Sequence, residues 1–136
     1  MNARELVDEA LRLVLAHDMA GFADLWAVDG VLEFPFATPD RPHRLVGRRA
    51  VHDYVRDYTD HVAPEAVTAL TAHLTTDPEV VVAEFEIEGR LVPTGAGYRM
   101  GYIAVVTARD GEIIRYRDYW SPAAARGIGF GGGAAA

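Results

Sequence analysis

The 136-residue chain contains no cysteine, no lysine and no glutamine; all 13 basic residues are arginine, asparagine occurs only at position 2 and serine only at position 121. Without a thiol or a primary amine there is no thiolate nucleophile, no cysteine zinc site and no Schiff-base lysine, and a serine triad has a single candidate beside Pro122. Twenty acidic residues leave a net charge of -7, so the basic face that phosphate binding requires is missing and nucleic acid is not an expected partner. No apolar run approaches the roughly 18 residues of a membrane span. The opening "MNARELVDEA" reads as an amphipathic helix and not as a leader, so a soluble, cytoplasmic protein with no membrane partner is expected. No pair of histidines has metal-ligand spacing with a third ligand nearby, and neither a metal nor a cofactor is expected. Chemistry is left to carboxylates, tyrosines and histidines.

The chain fits one domain, residues 1–122, followed by a Gly/Ala-rich tail over 123–136 that has too little side chain to pack unless Ile128 and Phe130 dock. Residues 3–16 place Leu6, Val7, Ala10, Leu11 and Val14 on one helical stripe. "MAGFADLWA" continues as a second short helix, "VDG" reads as a turn, and "VLEFPF" as a short strand pushed towards a sheet edge by Pro35. "ATPDRPHRLVG" reads as a loop. Val51, Tyr54, Val55, Tyr58 and Val62 then recur at helical spacing. The remainder alternates as β: "AVTALTAHLT"; "VVVAEFEIEGRLV", with Phe85 and Ile87 inward and Glu84, Glu86 and Glu88 outward; and "YRMGYIAVVTAR", whose even positions Tyr98, Met100, Tyr102, Ala104 and Val106 form one apolar face. Asp110-Gly111 signals a hairpin into "EIIRYRDYW". Helices first and strands afterwards predict an α+β fold, a curled antiparallel sheet wrapped around the N-terminal helices with a cavity between the layers.

In that last stretch Glu112, Ile114, Tyr116, Asp118 and Trp120 share one strand face, and Ile113, Arg115, Arg117 and Tyr119 the other. Asp118 thus lies among aromatic rings. A carboxylate there is costly unless partnered, so it is either a paired structural acid or a group whose proton is managed. Glu33 and His73 can each face the cavity or solvent on pattern alone.

From residue 1 to about Pro122 the chain resembles the cone-shaped nuclear transport factor 2-like superfamily. "DGVLEFPF" to "VGRRAVHDYV" and "GYRMGYIAVVTARDGEIIRYRDYWSP" resemble the SnoaL-like enzymes and the phenazine-biosynthesis A/B proteins, and "PTG" to "RDY" is also similar to limonene-1,2-epoxide hydrolase. The resemblance to the epoxide hydrolases carries over one acid, at Asp118; their arginine and second aspartate fall on Phe85 and Ile87, and their pocket asparagine on Glu33. The aspartate and tyrosine of the ketosteroid isomerases fall on Phe34 and Leu11. The phenazine-group acid matches Asp118, and its histidine and serine fall on Tyr54 and Tyr58.

Residues and resemblance together assign Asp118, Tyr54 and Tyr102 to catalysis and Tyr58, Tyr98, Met100, Tyr116, Trp120, Phe34, Phe85, Leu11 and Glu33 to substrate binding. The implied activity is cofactor-independent acid/base chemistry on a hydrophobic oxygenated small molecule, by isomerisation, cyclisation or dehydration, in secondary metabolism. Epoxide opening and a non-catalytic binding or dimerisation module are the alternatives. The superfamily further implies a homodimer joined through the outer sheet face.

Overall fold

The structure, a computed structural model, describes residues 1–127. Helix α1 (Ala3–Leu15) starts on Asn2, whose side chain accepts from the Glu5 amide while the Glu5 carboxylate accepts from the Asn2 amide, a reciprocal capping box. Its buried stripe of Leu6, Val7, Ala10, Leu11 and Val14 is the one the spacing predicts. Helix α2 (Met19–Ala23) follows, capped by Asp18. Helices α3 (Arg48–Val55) and α4 (Tyr58–His61) replace the single predicted helix; they bury Val51, Val55 and Tyr58.

Six strands form one sheet in the order β2-β1-β6-β5-β4-β3. The long meander β3 (Val62–Leu74), β4 (Val80–Leu91), β5 (Gly97–Arg109) and β6 (Glu112–Tyr119) is antiparallel throughout. β1 (Trp26–Glu33) departs from the expected all-antiparallel sheet by pairing with β6 in parallel, and it carries β2 (Arg44–Val46) on its far side. Three expectations are corrected here. The second helix ends at Ala23, so Trp26 opens a strand. "VDG" lies inside that strand, which is interior to the sheet and stops before Pro35. Part of the presumed loop supplies the edge strand β2. The β1–β6 register slips between Trp26 and Val31, and at Gly30 a Cβ would lie 2.6 Å from the Ile113 carbonyl oxygen, which is why the chain has no side chain there.

The β5–β6 turn places Asp110 at φ 54° and Gly111 at φ 78°, the paired left-handed geometry of a two-residue hairpin. A bulge follows at once: Thr107 faces Arg115 and Ala108 faces Ile113, leaving Ile114 unpaired. This corrects the strict alternation read from the sequence, because Ile113 is fully buried and Ile114 is not. Beyond the bulge Tyr116 and Asp118 face inward as expected. The tail begins as helix α5 (Pro122–Gly127), with Ala125 buried; Ile128 and Phe130 lie outside the described residues. No helix among the described residues is long and apolar enough to cross a membrane.

Candidate active site

Asp118 is brought inward by register. It pairs with Ala104, and Tyr116 with Val106, both buried on the inner face of β5. The same alternation sends Arg115 and Arg117 to the outer face. There Arg115 donates to Glu33, and Arg117 Nε lies 3.8 Å from the same carboxylate. Both arginines of β6 are therefore directed to Glu33 and away from Asp118. Glu33, assigned to substrate binding, is corrected: it faces away from the interior, and the adjoining Arg115 holds its carboxyl below the ordinary value.

Asp118 is 7 % exposed, and its buried Oδ1 makes no hydrogen bond among the described residues. Burial without a compensating partner disfavours the charged form and lifts its pKa from 3.8 to about 8. At neutral pH the group is mainly a neutral acid.

It lines a hollow between α1, α2 and the inner sheet face. The helices contribute Ala10, Leu11, Val14, Met19, Phe22 and Tyr58, and the sheet contributes Leu32, Phe85, Ile87, Tyr102, Tyr116 and Asp118. Of the sequence-predicted residues, Asp118, Tyr102, Tyr58, Tyr116, Phe85 and Leu11 meet there. The space open to the centre of a water-sized sphere is about 40 Å³. At roughly 10–15 Å³ per water, this holds about three waters or a small organic fragment.

The Tyr102 hydroxyl is buried and neighbours the Tyr58 hydroxyl, without a hydrogen bond of regular geometry among the described residues. Burial, and then the neighbouring Asp118, raise its pKa well above the ordinary tyrosine value, so it stays protonated and can donate. Burial likewise raises the pKa values of Tyr58 and Tyr116, and pushes that of Tyr98 up to about 12.

Other predicted residues lie around the hollow and do not line it. Tyr98 and Met100 are buried further along β5, Tyr98 interacting with the Tyr58 hydroxyl. Phe34 is buried between Tyr54 and Trp120, at ring-centroid distances of 5.4 and 5.5 Å. Tyr54 is half-buried and borders a separate polar groove with Arg41, Asp53 and Asp57, so its catalytic assignment is not supported by contact with the hollow. No histidine lines the hollow among the described residues. His73 bonds Glu84 on the outer face at 2.6 Å, and His52 bonds Asp24 at 2.7 Å. No group of three or more His, Cys, Asp or Glu suited to a metal occurs among the described residues.

Sequence reasoning missed Ala10, Val14, Met19, Phe22, Leu32 and Ile87 as lining residues. Ala10 and Val14 flank Leu11 on the α1 stripe and Ile87 stands two residues from Phe85, so helix and strand periodicity carried that signal. Met19, Phe22 and Leu32 carried none, because their place follows from how α2 and β1 pack.

A second groove, of about 570 Å³, opens on the outer sheet face. It lies over Gly101, where an added Cβ would meet nothing within 4 Å, and is flanked by Ala69, Thr71, Glu84, Glu86, Ile103 and Tyr119.

Comparison with known proteins follows the same outline. The pattern of a family described as the SnoaL-like domain matches residues 4–116. The uncharacterized protein YesE of Bacillus subtilis (strain 168) is 40 % identical over 126 residues, covering 90 % of this chain and 86 % of that protein. The uncharacterized PhzA/B-like protein PA3332 of Pseudomonas aeruginosa is 36 % identical over 122 residues, with the same two coverages. A crystal structure from Bacillus subtilis, of a protein provisionally called an isomerase, superposes with a TM-score of 0.87 at 38 % identity, covering 98 % of this chain and 99 % of that one.

Proposed function

Because the chain belongs to the SnoaL-like domain family, we propose that it is a cofactor-independent isomerase or cyclase in which Asp118 carries a proton between two positions of a small oxygenated substrate. The observation behind this reading is one buried carboxyl, without a partner among the described residues, at the wall of an apolar hollow. A pKa near 8 makes its carboxylate a far stronger base than an ordinary aspartate, while about a tenth of the molecules still hold that carboxylate at pH 7.

In the proposed cycle the carboxylate takes a proton from the carbon beside a carbonyl. The Tyr102 hydroxyl donates to the oxygen on which negative charge develops, and the now neutral Asp118 returns the same proton at a second carbon. Protons and electrons balance within the substrate. In a ring closure the returned proton goes instead to the oxygen of the carbonyl that the enolate attacks. Water-driven epoxide opening, which uses a second acid, finds only one carboxyl in the lining of this hollow among the described residues; by the resemblance to the epoxide hydrolases, Phe85 and Ile87 stand where the partners would be.

The test is exchange of α-hydrogens for deuterium in a panel of small ketones in D₂O, followed by NMR. The wild-type protein is expected to accelerate exchange, with a rate that rises with pH to a plateau above about 8. Asp118→Asn should lose roughly 100-fold or more, the usual worth of a positioned general base. An Asn variant as fast as the wild type would remove Asp118 from the mechanism.

A further inference from the structure

Tyr102 Oη and Asp118 Oδ1 belong to residues that line the hollow, yet both atoms are closed to a water molecule. A guest that is to touch them requires a wall to move, and the walls are not equally held. The sheet wall is continuous: β4 and β5 pair without a slip from Val80 to Arg90. Helix α1 has thirteen residues, a capping box and seven buried side chains. Helix α2 is short, but Asp18 caps it and Met19, Phe22 and Ala23 are buried.

The remaining wall is α4. Its four residues are fewer than a helix needs to hold itself in water. Asp57 at its start, with φ -104° and ψ 8°, makes no side-chain cap bond among the described residues, and of the four side chains in the helix only Tyr58 is buried. The other end is tied, because the Val92 N–H donates to the His61 carbonyl at 2.9 Å. A short segment with one uncapped end and a single buried side chain is of the kind that opens locally while the rest of the fold stays intact.

Helix α4 also separates two spaces. Tyr58 lines the hollow, whereas Asp57 and His61, one turn apart, border the polar groove together with Asp40, Asp53 and Tyr54. The space open to a water-sized sphere is about 440 Å³ in that groove, against about 40 Å³ in the hollow. Withdrawal of the Tyr58 ring would join the two and uncover the neighbouring Tyr102 hydroxyl.

We infer that α4 is a flap: it swings about His61, carries the Tyr58 ring out of the hollow and admits a guest from the polar groove lined by Asp53, Tyr54 and Asp57. When it swings back, the ring shuts water away from Asp118.

The test exploits the absence of cysteine from the chain. Ile87→Cys puts one thiol in the sheet wall of the hollow, and its reaction with methyl methanethiosulfonate, a small uncharged reagent, is timed by mass spectrometry. In that background Asp60, exposed on α4, is changed to Ala or to Gly, and so is Asp8, exposed on α1. Gly in place of Ala weakens either helix about fivefold. The Asp60→Gly protein should therefore react about fivefold faster than Asp60→Ala, whereas the two Asp8 variants should differ by less than about twofold. Equal ratios at the two helices would mean that the thiol is reached by unfolding of the whole chain, and a larger ratio at Asp8 that α1 is the moving wall; either result would overturn the inference. Ratios near one at both positions would overturn it as well, since the hollow would then be entered without α4. If Ile87→Cys does not fold, Val14→Cys, a smaller change in volume on the α1 wall, carries the same measurement. None of these readouts involves proton transfer, so the role given to Asp118 stands or falls separately.

Discussion

Replacing Asp118 by Asn should change how the stability of the fold depends on pH. The folded state holds the carboxyl proton up to about pH 8, whereas the unfolded chain releases it near 3.8. Between those values the folded protein binds one more proton than the unfolded chain. Its stability relative to the variant is therefore fully present below about pH 4 and is lost as pH rises, at about 1.4 kcal/mol per pH unit, until the folded group ionises. The loss amounts to about 4 kcal/mol at pH 7 and about 6 kcal/mol above pH 8, a large part of a small domain's total. Asn has nearly the shape of the neutral acid and does not titrate. All other ionisable groups are common to both proteins, so their contributions cancel in the difference. Urea unfolding of both proteins at pH 4, 5, 6, 7, 8 and 9 measures it. The variant's advantage should grow with pH through this window and then level off. A difference that changes by less than about 1 kcal/mol would mean that the carboxyl is solvated or partnered when folded. A difference of opposite slope would mean that it is held as a carboxylate by a cation.

Tyr102→Phe removes a buried hydroxyl without a well-formed hydrogen bond, so urea unfolding should find the variant as stable as the wild type or up to about 1 kcal/mol more stable, while α-exchange falls; a clear loss of stability would show that the hydroxyl is satisfied. At Gly30 the new Cβ of Ala would meet the Ile113 carbonyl at 2.6 Å and should cost roughly 1–3 kcal/mol or more, whereas at Gly97 it would lie 3.9 Å from the Gly89 carbonyl oxygen, an ordinary van der Waals contact, and Gly97→Ala should cost little in the same assay. We propose that a second copy of the chain packs over the outer-face groove at Gly101, beside the half-exposed Ile103. Light scattering should accordingly give twice the 14.8 kDa chain mass, with Ile103→Arg reducing it to one; a monomeric wild type would refute this.

The parts of the fold legible in the sequence are those written in local periodicity. The α1 stripe, the alternation of β4 and β5 and the Asp110-Gly111 turn needed only neighbours in the chain, and together they place Asp118 on the inner face. What the sequence hid depends on distant partners. Trp26 looks like the end of a helix until the strand it begins finds β6. The orientation of Glu33 is fixed by Arg115, a partner 82 positions away. The bulge at Ile114 is invisible because Ile113 and Ile114 are chemically identical, and only the β5 register tells which is buried. At the site, the acid and the ring at Tyr102 were legible, while Tyr54 was not excluded by pattern: helical spacing puts it beside Tyr58, but the break between α3 and α4 turns the two apart.

The claim on which the account stands is that Asp118 is a neutral acid in the folded protein at pH 7. Carbonyl-¹³C labelling of aspartate, with the Asp118 resonance assigned by its absence in Asp118→Asn and followed from pH 3 to 10, measures this directly. The account predicts a midpoint near 8; a midpoint at or below 4 would contradict it.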